Sequence, residues 1–324
     1  MPPRRSTQLL SCIRRTLATV SLAVVIGGCA TSTEPQAAPD TSSVEIASLH
    51  HGGDLVLDPA SDMGRPDRIV AGPQGNDGQF LVECELSHLA ADDPILHPDQ
   101  PGASHLHAFF GNETTSATSR MDDLLGQETS CDDFRDTAAY WVPVLMDGAT
   151  PIEPEYSVAY YRAGIDVDPT SVVSYPPGLA MIAGDPLAAS DQPLEVVSWS
   201  CGHGAHKGAL PPVCPVGADV RLSVTFPDCW DGKNLDTPGH RRHVHYSSEG
   251  KCPSSHPVHI PQLIFAVHFP VTGDISHLRL SSGTLGSGHA DFFNAWDQEH
   301  LEHEVELCIR RQNVCAISSG RRPV

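Results

Sequence analysis

Eight cysteines lie between residues 84 and 315, behind an N-terminal stretch that reads as an export signal. An even set of cysteines in an oxidising compartment closes a fold with disulfides, which restricts the chain more than any other feature. Eight cysteines allow 105 pairings. Short separations favour Cys201–Cys214, Cys229–Cys252 and Cys308–Cys315, which leaves Cys84–Cys131. No C-x-x-C pair is present, so a structural zinc knot is not expected.

The export reading rests on residues 1–29. Arg4, Arg5, Arg14 and Arg15 form a basic start, and Leu17–Gly28 is an apolar run too short to span a bilayer. Ile26-Gly27-Gly28-Cys29 puts small residues directly before a cysteine, as in a bacterial lipoprotein signal. Cleavage there would leave Cys29 at the N-terminus to be acylated. The expected partner is membrane lipid, and the expected place is the outer face of the cell membrane, with plain secretion as the alternative. Residues 30–48 are rich in Thr, Ser, Pro and Ala and read as a flexible linker. Residues 49–324 are expected to form one extracytoplasmic domain.

Short segments alternate or run apolar at strand length: Phe80–Leu86, Ala139–Leu145, Ser157–Ala163, Leu179–Ala183, Glu195–Ser200, Val220–Phe226 and Leu263–Phe269. Twenty-seven glycines and 28 prolines punctuate them, which suits strands and loops better than long helices. Pro143 points to an edge position or a bulge. One helix is expected over Asp297–Arg310, where Leu301, Val305 and Ile309 recur at i, i+4 and i+8, and a shorter turn near Met121–Leu125. The fold class is therefore mainly β: a single β-sandwich-like core with long loops, short helices and a C-terminal helix, stabilised by disulfides.

The net charge is -20, and loss of the leader with its four arginines leaves 16 basic against 40 acidic side chains, a net of -24. Nucleic acid is excluded as a partner on that balance. Eighteen histidines fall partly into clusters with carboxylates. In His105-Leu-His107 and His289-Ala-Asp291, residues two apart share a strand face and can converge on a divalent ion or a substrate. Phe226–Asp236 packs Asp228, Asp231, Asp236, Lys233 and Asn234 into one loop, which also reads as turn chemistry. His240–Tyr246 and Cys252–His259 add His243 and His256, with His243 and His245 on one strand face. His245 and His259 are expected in solvent, as are His300 and His303. His203 is expected in a loop, and Trp296 in the core. No serine-hydrolase elbow, H-E-x-x-H helix, phosphate loop or calcium loop is present.

Several stretches resemble a family of secreted bacterial and fungal proteins, domain of unknown function nineteen-ninety-six. They are SHLHAFFGN (104–112), AAYWVPVL (138–145), YYR (160–162), GLAMIAGD (178–185), FPDCWDGKNLD (226–236), HRRHVHY (240–246), CPSSHPVHIPQL (252–263) and HADFFNAWD (289–297). The resemblance implies an extracytoplasmic domain, joined in some fungal relatives to a carbohydrate-binding module. It carries no reaction. By match to its motifs the candidates are His105, His107, Asp231, Lys233, Asn234, Asp236, His243, His256, His289 and Asp291.

The leading expectation is a surface lipoprotein that acts on or grips an extracellular polysaccharide, with hydrolase- or lyase-like chemistry if it is an enzyme. Asp231, Asp236, His105, His107, His289 and Asp291 would be catalytic, with His105, His107 and His289 as ligands of a divalent metal. Lys233, Asn234, His243 and His256 would bind substrate. One alternative is a non-catalytic carbohydrate-binding or envelope-scaffold module that uses Tyr140, Trp141, Tyr161 and Trp230 as exposed stacking platforms. Another is a metal-binding lipoprotein.

Overall fold

The computed structural model describes residues 68–71, 78–202, 206–273 and 275–316. The expected leader with Cys29, the expected linker over 30–48 and His203 lie outside the described residues. The strands in chain order are β1 (Arg68–Ala71), β2 (Gln79–Ala90), β3 (His107–Gly111), β4 (Ala139–Pro143), β5 (Leu145–Asp147), β6 (Thr150–Ile152), β7 (Tyr156–Arg162), β8 (Ala180–Gly184) and β9 (Val197–Cys201). They continue with β10 (Val220–Thr225), β11 (Cys229–Trp230), β12 (Val244–His245), β13 (Val258–His259), β14 (Gln262–Phe269), β15 (Arg279–Leu280), β16 (His289–Phe293) and β17 (Asn313–Ala316). Helix α1 is Met121–Leu124 and α2 is Gln298–Glu304, which passes into a π-type turn over Val305–Arg310.

The main sheet has the order β8-β16-β4-β3-β2-β7-β14-β10-β9, with β17 parallel to β2 and β1 antiparallel to β17. Its long member β2 joins two halves. Gln79–Glu85 pairs with β7, and Leu86–Ala90 pairs with β3. The register shifts between Leu86 and His88. Such a bulge bends and twists a strand, so the sheet turns over there and encloses its inner face. At the far side, Gly288, just before β16, packs on Val197 of β9 and Leu222 of β10. A Cβ on Gly288 would come within 2.8 Å of Val197 Cγ1, so a bare backbone is required for this approach.

Period-two alternation assigns the faces. Phe80, Val82, Phe110, Tyr140, Tyr161, Phe265 and Phe292 point into the main core with Trp199 and Trp296. Phe109, Ala139, Trp141, Ala180 and Ile182 point the other way, into a smaller cluster closed by Ile95 and Leu124. Tyr140, Trp141 and Tyr161 are fully buried, so they are not exposed stacking platforms. The two tyrosines instead serve the core: Tyr140 donates to Asp136 at 2.6 Å, the two hydroxyls hydrogen-bond, and Trp296 Nε1 donates to Tyr161 at 3.2 Å. Burial pushes the Asp136 carboxyl well above its ordinary range, partly opposed by the bonds from Tyr140 and Ala138.

All seven anticipated strand segments are strands, although Ala139–Leu145 is broken at Val144. Pro143 ends a central strand rather than marking an edge. In the C-terminal helix Asp297 caps the first turn by accepting from His300 N, and Leu301, Val305 and Ile309 are buried as their spacing requires. His300 is not a surface residue. It is buried, and its Nε2 lies 2.7 Å from Asp133.

The four expected disulfides are present: Cys84–Cys131, Cys201–Cys214, Cys229–Cys252 and Cys308–Cys315. Cys84 lies in β2 just before its bulge, and its bridge closes a loop of sequence separation 47. Loop-closure entropy for that length is about 4 kcal/mol. The double variant Cys84→Ala, Cys131→Ala is expected to lose stability on that order. A urea midpoint unchanged from the wild type would contradict it.

Candidate metal centre

The outer face of the half-sheet β8-β16-β4-β3 carries His107 next to Phe109 on β3, and His289 and Asp291 on β16. His107 sits opposite Pro143 of β4, and Asp291 opposite Trp141. Continuing that register by two residues puts His289 in the same cross-strand row as His107 and Pro143. His105, just ahead of β3, joins them. Ring centroids are 4.2 Å apart for His105 and His107, 5.0 Å for His105 and His289, and 5.9 Å for His107 and His289. One ligand atom from each of the three histidines lies within 4.8 Å of the others.

The tautomers follow from the backbone. His107 Nδ1 lies 2.9 Å from the carbonyl oxygen of Asp92, and His289 Nδ1 lies 2.8 Å from that of Ser287. A carbonyl only accepts, so each Nδ1 carries the proton and each Nε2 presents its lone pair. The Nε2 atoms of His105 and His107 are buried and meet no hydrogen-bonding group of the protein. Burial holds all three rings neutral. It is the largest cause in each case, with neighbouring histidine charge added. His105 falls to about 4, His289 to about 3 and His107 well below its ordinary value.

Two carboxylates complete the site. Asp93, His107 and Asp291 likewise bring ligand atoms within 4.8 Å of one another. Asp291 is 1% exposed and neither of its oxygens has a hydrogen-bond partner. Burial, then the charge of Asp93, pushes its carboxyl well above the usual range, while Arg241 opposes this. Asp93 spends Oδ1 on the amides of Ile95 and Leu96, at 2.9 and 2.8 Å, which leaves Oδ2 buried and unbonded. Its carboxyl is raised by burial, against those amides and the charges of His97 and His240. Arg241 is held by the carbonyls of Ile182 and Gly184, at 3.3 and 2.6 Å, and its charge reaches both His289 and Asp291.

The other sequence candidates have different work. Asp231 accepts from the amides of Lys233 and Asn234 at 2.9 Å each, and from Asn234 Nδ2. Although burial opposes it, these bonds hold the Asp231 carboxyl below its ordinary value. Asp231 and Asn234 therefore build a turn, with Lys233 exposed on it. His243 is buried and uses both nitrogens: Nε2 donates to Ala180 O at 2.7 Å, and Nδ1 accepts from Thr237 at 3.2 Å. His256 does the same with Arg242 O and Ser255. Neither ring has a lone pair to give a ligand. His245, unlike His243, is exposed. Asp236 pairs with His240 at 2.9 Å on the rim, where His240 acts electrostatically on Asp93. Of the nominated catalytic residues, His105, His107, His289 and Asp291 converge.

Asp93 and His97 were missed by sequence reasoning. Their one signal was Asp93-Pro-Ile-Leu-His97, a four-residue spacing that reads as a capped turn.

The profile of the family described as Domain of unknown function (DUF1996) matches residues 93–296. The chain belongs to this family. The matched span contains every residue of the cluster, from Asp93 to Asp291. No curated protein and no solved structure matches the chain.

The buried neutral histidines of this DUF1996 domain set a pH dependence. In the unfolded chain they protonate near pH 6.5, but in the folded chain only near 4 or below. Their contribution to stability is therefore full above about pH 6.5 and is lost as pH falls through 6.5 towards 4. In chelator, His289→Gln is expected to narrow the gap in urea midpoint between pH 7 and pH 5. An unaltered gap would contradict this account.

Proposed function

We propose that this domain is the extracytoplasmic part of a lipid-tethered metalloprotein that cleaves an extracellular polysaccharide. His105, His107 and His289 hold one divalent transition-metal ion, zinc in first place. The observation that carries the reading is the pair of backbone-fixed tautomers, which leave a lone pair on Nε2 of His107 and of His289 in a cluster with His105 whose ligand atoms lie within 4.8 Å of one another. Three neutral imidazoles suit a borderline ion such as zinc, whereas calcium and magnesium need oxygen ligands. Zinc–nitrogen bonds of about 2.0–2.1 Å need only modest closing of the rings from a spread within 4.8 Å. The carbonyls of Asp92 and Ser287 act as the orienting outer partners that such ligands require.

The bound ion would supply Lewis acidity and a water of lowered pKa. The chain's own groups do the rest. Asp291 and Asp93 sit beside His107, where a carboxyl can take a proton from water or return one to a leaving oxygen. Arg241 is a fixed cation next to the same groups and can balance negative charge that develops on substrate. The polysaccharide substrate rests on the expected surface tether through Cys29 and on the glycan context that the family resemblance implies. Burial of Tyr140, Trp141 and Tyr161 removes the main support for a non-catalytic stacking module.

Protein purified without a histidine tag is expected to carry about one metal per chain by elemental analysis, and His107→Ala and His289→Ala to lose it. Less than about 0.1 per chain in reconstituted wild type would sink the proposal. Against a polysaccharide panel, wild type is expected to release products, and Asp291→Asn to lower turnover at least about 100-fold while retaining metal. Full metal loading with no product from any polysaccharide would favour a metal-binding role instead.

A further inference from the structure

The second half of the sheet carries a different constellation. On its outer face Arg162 and Tyr160 of β7, Arg221 and Ser223 of β10, Ile264 and Ala266 of β14, and Gln79 of β2 line a cleft of about 310 Å³, with Lys207 beside it. The register explains the shape. Ser223 pairs with Ala266, so two small side chains form the floor. Tyr160 pairs with Ile264, and Arg162 lies between Gln79 and Gln262. Arg221 stands on the opposite side, next to Ser200. Lys207 arrives from the loop closed by Cys201–Cys214, which Gly208 fastens to Trp199.

Three cations thus face one cleft in a chain of net charge -20. Their like charge is felt: Lys207 is lowered by burial and then by the guanidinium groups of Arg221 and Arg162. Arg221 Nε donates to Ser200 Oγ at 3.1 Å, and Arg162 Nη2 donates to Gln262 Oε1 at 3.2 Å, bonds that hold each guanidinium group beside the cleft. Acidic charge also reaches this face of β7, from Glu83 at Tyr160 and from Asp219, Glu83 and Glu155 at Tyr156. Oriented guanidinium forks with an ammonium beside them match the donor pattern of an oxyanion. Tyr160, Ser223 and Gln79 add neutral polar groups around it.

We infer that this cleft is a second binding site, for the oxyanion of a small ligand or chain unit, such as a carboxylate or sulfate on a saccharide. None of its residues belongs to the histidine cluster. It stands whether or not that cluster binds metal, and it commits the partner of an acidic protein to carry negative charge.

The test is titration of the full domain with sodium sulfate, phosphate and glucuronate at constant ionic strength, read by calorimetry, with glucose as the uncharged control. Saturable binding of at least one anion and none of glucose is expected. The preferred anion distinguishes a sulfated, phosphorylated or uronate-bearing ligand. Lys207→Gln is expected to weaken that binding about tenfold, with Lys207→Arg restoring most of it. His107→Ala is expected to leave it unchanged, which separates this site from the metal site. Lys207 lies on a loop with much of its side chain still in solvent, so its variants should fold, and Arg221→Gln provides a second reading. No saturable binding of any of the three anions, or equal binding by wild type, Lys207→Gln and Arg221→Gln, would overturn the inference.

Discussion

Burying an imidazole or a carboxyl without a hydrogen-bond partner costs roughly 1–3 kcal/mol for each group. Here Nε2 of His105 and of His107, Oδ2 of Asp93 and both oxygens of Asp291 are buried on those terms, side by side. A fold keeps such a cluster only if the surrounding structure over-determines it. That is the case: the register through Pro143 puts His107 and His289 in one row, two backbone carbonyls fix their tautomers, and Ile95, three residues after Asp92, packs with Phe109 and Trp141. Gln192 bonds the carbonyls of Gly286 and Gly288 at 2.8 and 2.7 Å, which holds the loop leading into His289.

The same alternation that makes the core makes the site. On β3, Ala108 and Phe110 go inward while His107 and Phe109 go outward. On β16, Ala290 and Phe292 go inward while His289 and Asp291 go outward. An outer face normally meets water, but here a satellite cluster around Phe109 and Trp141 forms the dry ground on which the polar residues stand. Asp291 is opposite Trp141, and burial in that apolar neighbourhood pushes its carboxyl well above the usual range.

Much of this was legible in the chain because local rules carry it. Strand alternation, the i, i+4, i+8 spacing of the last helix and the cysteine separations are all short-range signals. The pairing of His105 and His107 with His289 and Asp291 was legible in part, because each pair is itself an i, i+2 motif. What stayed hidden depends on long-range placement. Tyr140 and Trp141 are adjacent, and each is buried on a different side of the sheet, which composition cannot tell from an exposed aromatic patch. Asp231 and Asn234 look like a polar site by content, yet both oxygens of Asp231 accept bonds from within four residues. Asp93 looks like an ordinary turn aspartate, and only the tertiary fold brings it within reach of His107 and Asp291.

The bulge in β2 gives the two sites their independence. Before it, β2 pairs with β7 and belongs to the half-sheet whose outer face holds Arg162 and Arg221. After it, β2 pairs with β3 and belongs to the half that holds the histidines. Cys84–Cys131 fixes the strand two residues ahead of the register shift, so the angle between the halves is tied covalently where the chain bends. Opposite chemistry can then be kept on one continuous sheet: neutral imidazoles and carboxyls on one half, guanidinium groups on the other. On a flat sheet these would share an outer face and the cations would compete for the carboxylates. Turning the sheet separates them, and Arg241 remains as the cation whose charge reaches the histidines and Asp291.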